Sequence, residues 1–154
     1  MPIKSGDRAP DVSLLDQDGE PFSLADSLAR TGASHLVFFY PKADTPGCTQ
    51  QACGLRDVAD QLGDTVVVGI SPDAPARQRR FADKFELGYT LLADIDHAVA
   101  EAFGVWKEKK NYGRTYMGVE RSAFLISPDG TVAEAWPKIS PKDTPTKLLA
   151  ALDR

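Results

Sequence analysis

Residues 36–53 read Leu-Val-Phe-Phe-Tyr-Pro-Lys-Ala-Asp-Thr-Pro-Gly-Cys-Thr-Gln-Gln-Ala-Cys. The run 36–40 is apolar and rich in aromatic and branched residues, which predicts a buried strand. The chain then turns and opens a helix. Thr45 suits the N-cap and Pro46 the first helical position, so Cys48 falls in the first turn. Free backbone N–H groups and the positive dipole end of that turn favour an anion, and a thiolate there is stabilised relative to the thiol. An ordinary cysteine, with a pKa near 8.5, is roughly 3% thiolate at pH 7; a helix start plus a cation lowers that pKa by about one to several units. The bland alternative is a buried cysteine acting as a small hydrophobe. The helix-start position weighs against it.

Working outward, residues 65–70 (Thr-Val-Val-Val-Gly-Ile) read as a second buried strand. Between the strands, a helix from 46 to about 62 is expected. Cys48, Ala52, Leu55, Ala59 and Leu62 recur at spacings of four and three, a stripe that packs on a sheet. Arg56, Asp57, Asp60 and Gln61 fall mostly outside. Strand, helix and strand in this order make a βαβ unit with parallel strands. Upstream, 12–15 and 21–24 flank Asp18-Gly19 and read as a hairpin, followed by a helical turn or two over 23–30. Downstream, Ser71-Pro72-Asp73 is expected to cap a helix over 74–85, with Phe81 and Phe85 inward and Gly88 ending it. A strand at 89–92 and a helix to Phe103 capped by Asp94-Ile95-Asp96 follow. Residues 105–120 show little periodicity and read as a polar loop. Arg121 opens a strand to Ile126, a turn at 127–130 returns the chain along 131–136, and 143–152 form a closing helix.

One domain over residues 1–154 is the expectation for a chain of this length. A net charge of −4 argues against nucleic acid or an anionic membrane surface as partner. No stretch approaches the roughly 20 apolar residues of a membrane span, and the start has no apolar signal core. The cytoplasm is the default compartment, and two cysteines there read as catalytic or redox-active rather than as a staple. Their C-x₄-C spacing, without nearby histidines, does not reach a four-ligand zinc pattern.

Pro41, Thr45 and Cys48 stand as Pro-x-x-x-Thr-x-x-Cys, which resembles the active-site signature of peroxiredoxins. The longer string from Phe39 to Cys53 looks like the PrxQ branch, also called bacterioferritin comigratory protein. The similarity runs from Gly6-Asp7-Arg8-Ala9-Pro10 to about Trp136. The resemblance implies an α/β, thioredoxin-like fold: a central mixed sheet flanked by helices, with an N-terminal β-hairpin. It implies a thiol peroxidase in antioxidant defence and redox homeostasis, reducing hydrogen peroxide or organic hydroperoxides. No metal, flavin or haem is implied. The reductant would be thioredoxin or a similar dithiol, and the protein a monomer.

Residue by residue, the resemblance makes Cys48 the peroxidatic nucleophile, which becomes a sulfenic acid. Thr45 would hydrogen-bond peroxide and thiolate besides capping the helix, and Pro41 would shield the thiolate from water. On residues alone Arg121 reads more readily as a solvated arginine at a strand end. The family match instead puts it beside the thiolate, donating to sulfur and to peroxide oxygen. Backbone N–H groups of Gly47 and Cys48 would add to that field. Cys53 is the resolving cysteine by resemblance, with a helix filler as the alternative. Five helical residues rise about 7.5 Å and turn roughly 140°. That puts the Cα atoms roughly 8 to 9 Å apart, beyond the reach of a disulfide. A Cys48–Cys53 bond therefore requires the first turns of the helix to unwind, and Gly47 and Gly54 are expected to weaken it there.

Gln51 reads equally as a loop-orienting residue and a solvated one. His35 and His97 read as structural histidines, Trp106, Tyr116 and Trp136 as packing, and Lys107, Lys109 and Lys110 as a solvated face. Two other function classes compete. A dithiol–disulfide oxidoreductase would normally show C-x-x-C, which is absent. A redox-regulated binding or holdase protein would consume no peroxide.

Overall fold

Strand, helix and strand around residues 36–70 form as the apolar pattern requires. The computed structural model describes residues 2–153. A hairpin, β1 (Ser13–Asp16) and β2 (Pro21–Ser23), precedes helix α1 (Leu24–Thr31). Next come β3 (His35–Phe39), α2 (Pro46–Asp57), β4 (Val66–Ser71) and α3 (Pro75–Phe85). Then follow β5 (Thr90–Ala93) and α4 (Ala98–Ala102). A second hairpin, β6 (Trp106–Asn111) and β7 (Arg114–Val119), forms its own two-stranded sheet. The last elements are β8 (Ser122–Ile126), β9 (Val132–Trp136) and α5 (Asp143–Leu152). The main sheet is mixed and runs β2-β1-β5-β4-β3-β8-β9.

Strand β3 is buried along its whole length, parallel to β4 on one side and antiparallel to β8 on the other. Its side chains alternate between two cores. Leu36 and Phe38, continued by Tyr40, pack with Ala52 and Leu55 of α2, Phe81 of α3 and Leu148 of α5. Val37 and Phe39 pack with Leu24 and Leu28 of α1 and with Val99, Ala100 and Phe103 around α4. A strand covered on both faces reads as an unbroken apolar run. The register then sets the site. Phe39 pairs with Ser122, so Tyr40 and Arg121 lie one step beyond the last pair, side by side at the strand ends.

Several boundaries differ from the sequence reading. Residues 105–120 are not a loop but β6, β7 and a two-residue turn at Tyr112-Gly113, both with positive φ (51° and 75°). The alternation was hidden because only Trp106 and Val119, at the base of this hairpin, join the core, while Tyr116 and Met117 further out are exposed. Helix α2 stops at Asp57, and a 3₁₀ turn (Ala59–Gln61) follows. The change of period leaves Ala59 exposed while Leu62 stays buried. Ser71 and Asp73 do not cap α3; its N-cap is Ala74, and α3 ends on Glu86 in the left-handed region rather than at Gly88. Asp94 does cap α4, accepting from the Val99 and Ala100 N–H groups, and Asp96 accepts from Ala98.

Both histidines are engaged by neighbouring groups. His35 is buried, its Nδ1–H directed at the Ala33 carbonyl (3.0 Å) and its Nε2 accepting from the Ser27 hydroxyl (2.7 Å). His97 stacks on Trp106 with ring centroids 3.9 Å apart.

Two outcomes follow from this packing. A Cβ at Gly69 would sit 2.8 Å from both Leu91 Cδ2 and Phe38 Cζ. Gly69→Ala should therefore cost about 1–3 kcal/mol in urea unfolding, through overpacking. Burial lowers the pKa of His35 below its ordinary 6.5. The unfolded chain then takes up the proton first, so this contribution to stability is full above about pH 6.5 and declines as the pH falls. The stability gap between wild type and His35→Gln should narrow between pH 8 and pH 5; a constant gap would contradict it.

Candidate active site

Helix α2 begins where the sequence places it, with Thr45 at the N-cap in an extended conformation and Pro46 first in the helix. Cys48 is its third residue and is 1% exposed. Thr45 departs from expectation. Its carbonyl accepts from Thr49 N–H, but its side chain caps nothing; the hydroxyl donates instead to the Lys42 carbonyl at 2.8 Å. The first turn of α2 thus keeps free N–H groups next to the sulfur.

The Arg121 guanidinium fills that space. Its Nη1 donates to Cys48 Sγ at 3.4 Å and to Gln51 Oε1 at 2.9 Å. Gln51 is fully buried, and its Nε2 donates to Thr144 Oγ1 at 3.0 Å. The Thr144 hydroxyl in turn donates to the Ser140 carbonyl at 2.9 Å. A sulfur, a guanidinium, an amide and a hydroxyl form one chain from α2 to the start of α5. A charge-assisted bond in a water-poor site is worth more than its surface counterpart. Positive charge held at this distance stabilises negative charge on the sulfur.

Gly47 makes the close approach possible: a Cβ there would stand 3.1 Å from Arg121 Nη2 and 3.6 Å from Pro141. Gly54 does the same for α5, since its Cβ would meet Pro145 Cγ at 3.1 Å. Both glycines admit neighbours to the helix, beyond the local weakening expected of them.

The turn carrying Pro41 is anchored by α3. Asp73 Oδ2 accepts from Ala43 N–H (2.7 Å) and from the Ser71 hydroxyl (2.6 Å), and Arg77 pairs with Asp73 at 3.0 Å. Arg77 Nη2 also reaches the Ala43 carbonyl at 3.4 Å. Beneath it, the Tyr40 hydroxyl donates to Gln78, which bonds Ser71 and the Leu92 carbonyl. Burial raises the Tyr40 phenol far above its ordinary range, so it stays protonated and structural.

Cys53 is half-buried, and both cysteines are free thiols on an intact helix. Cys53 packs against the same core as Cys48 but is not joined to it. Among the described residues no three His, Cys, Asp or Glu side chains converge to hold a metal ion.

A buried sulfur at a helix start, faced by a strand-end guanidinium on a mixed sheet, is the arrangement of a thiol-based redox protein of thioredoxin-like architecture. The AhpC/TSA family model matches residues 5–135. Peroxiredoxin Bcp of Escherichia coli is 54% identical over 133 residues, 85% of this chain and 83% of that protein. The crystal structure of peroxidoxin BcpB from Mycobacterium tuberculosis is 36% identical with a TM-score of 0.86, covering 98% of this chain and 97% of that one. The bacterioferritin comigratory protein of Xanthomonas campestris, whose structures address its alkyl peroxide reduction activity, is 33% identical with a TM-score of 0.84, over 92% and 90% of the two chains. The chain belongs to the AhpC/TSA family, among the peroxiredoxins of the Bcp or PrxQ type.

Thr45, Gly47, Cys48 and Arg121 thus meet at one helix end, while Cys53 stands off along the helix. The sequence reading left Gln51 undecided and missed Thr144. Gln51 lies three residues after Cys48 and so shares its face of the helix, which was the available signal. In a Cys53→Ser background, Gln51→Leu removes the acceptor that orients Arg121. Alkylation of Cys48 by iodoacetamide at pH 7 should slow by about tenfold, the worth of one such bond; an unchanged rate would show that Arg121 orients itself.

Proposed function

We propose that this chain is a thiol peroxidase in which Cys48 reduces hydrogen peroxide and organic hydroperoxides. The observation that carries the reading is the Arg121 Nη1 to Cys48 Sγ contact of 3.4 Å at the start of α2. The sulfur attacks one peroxide oxygen, the O–O bond breaks, and the displaced oxygen leaves as alkoxide or hydroxide and takes a proton. Cys48 becomes a sulfenic acid. Arg121 and the N–H groups of Gly47 and Cys48 stabilise charge moving from sulfur to the departing oxygen. The Thr45 hydroxyl, donating its hydrogen bond to the Lys42 carbonyl, keeps lone pairs for the peroxide O–H. Pro41 shields the sulfur.

The Cys53 thiol then displaces water from the sulfenic acid, giving a Cys48–Cys53 disulfide. This step needs α2 to unwind, because five helical residues separate the two Cα atoms beyond disulfide reach. Gln51 lies between the cysteines, so its bonds to Arg121 and Thr144 break in the same motion. A dithiol of the thioredoxin kind reduces the disulfide. The protein works as one domain over 1–154, as a monomer, in the cytoplasm.

The test is peroxide consumption with a thioredoxin system. Cys48→Ser should abolish turnover. Cys53→Ser should form one equivalent of sulfenic acid, trapped by dimedone, and then stall. Normal turnover by Cys48→Ser would overturn the reading.

A further inference from the structure

The β6–β7 hairpin has no task in the chemistry above. Its register pairs Lys107 with Gly118, Lys109 with Tyr116 and Asn111 with Arg114. Cross-strand partners share a face and neighbours along a strand alternate, so Lys107, Lys109 and Arg114 stand on one face with no carboxylate among them. The other face carries Trp106 and Val119 at the core and Glu108 and Lys110 further out. The stem of Lys109 lies flat across β7: its Cδ is 3.4 Å from where a Cβ of Gly118 would be.

The cationic face borders a recess of about 570 Å³ whose wall includes Lys107, Lys109, Lys138, Tyr116, Glu120 and Arg121. Four lysines and Arg121 outweigh two glutamates around it, in a chain whose net charge is −4. Elsewhere among the described residues Arg56, Arg77, Arg79 and Lys84 have acidic partners, while Arg8, Arg30, Lys42 and Arg80 make no ion pair within 4.0 Å, so what marks the recess is the gathering of its cations in one concave wall. Among the described residues, Lys107, Lys109, Arg114 and Lys138 make no ion pair within 4.0 Å. Burial, with the neighbouring Arg121 charge, lowers the pKa of the Lys109 ammonium. Glu120 offsets part of the charge at Lys109, but the cations remain in excess in this concave wall, and an anion seated among them relieves their mutual repulsion. Arg121 belongs both to this wall and to the Cys48 contact.

We propose that the recess binds a carboxylate carried on the organic part of a hydroperoxide, directing the peroxide end toward Cys48. The inference rests on the thiol peroxidase reading of Cys48. The volume suits a small organic acid, and Tyr116 and Ile139 supply an apolar wall beside the charges.

The experiment is stopped-flow oxidation of the reduced protein by two matched hydroperoxides. One is tert-butyl hydroperoxide; the other is its analogue with one methyl extended to a carboxylate. At low salt the carboxylate form should react about tenfold or more faster, and added salt should erase the difference, as steering by charge requires. In a Lys107→Gln/Lys109→Gln variant the ratio of the two rates should collapse toward one, while Lys109→Arg should keep it. Equal rates in wild type, or a ratio untouched by the double variant, would overturn the inference. So would a double variant slowed only in disulfide reduction by thioredoxin, which would make these lysines a docking surface for the reductant. Failure of wild type to react with either hydroperoxide would instead sink the peroxidase reading, and this inference with it.

Discussion

A sulfur almost wholly out of water, with a guanidinium 3.4 Å away, is the contact on which the rest of this structure converges. A buried charge is tolerated only when paired and hydrogen-bonded. The half-buried Arg121 guanidinium is hydrogen-bonded through one nitrogen to both Cys48 Sγ and Gln51 Oε1. Thr144 fixes Gln51, and α5 is held against α2 by the close fit of Pro145 at Gly54. The two-sided sheet makes the pairing possible. Antiparallel β3 and β8 end together, which sets Arg121 beside Tyr40 and within reach of a helix that starts a few residues later.

The arrangement carries an opposition between order and motion. The contacts that hold Arg121 against the sulfur also hold α2 closed, because Gln51 sits on α2 between the two cysteines. In the proposed cycle, peroxide attack wants the helix intact, and disulfide formation wants its first turns open. The turn before α2 is tied separately, to Asp73 and Arg77 of the α3 end, so it does not depend on the α2 ladder. The helix can therefore yield while the turn stays in place.

Much of this was legible in the sequence because the signals were local. The run 36–40, the Thr-Pro start of α2 and the Asp94 cap each follow from neighbouring residues. The spacing of Cys48 and Cys53 shows by helix geometry alone that they stand apart. What escaped depends on pairing across the chain. Arg121 reads as a solvated strand end until the β3–β8 register places it; only resemblance put it at the site beforehand. Gln51 and Thr144 are polar residues whose burial is set by α5 docking, 93 positions apart in sequence. The β6–β7 hairpin was lost because its outer face is charged, so no apolar alternation marks it. Thr45 was read rightly as an N-cap position and wrongly as a side-chain cap, since the Lys42 carbonyl, three residues earlier in the turn, accepts the hydrogen bond from its hydroxyl.

The most direct measurement of the central contact is the single-turnover rate of sulfenic acid formation with hydrogen peroxide at pH 7 in Arg121→Ala, beside wild type. Loss of one such preorganised donor should lower the rate by about 10²–10³-fold, with the fold intact by circular dichroism. A folded Arg121→Ala protein reacting at the wild-type rate would contradict the account.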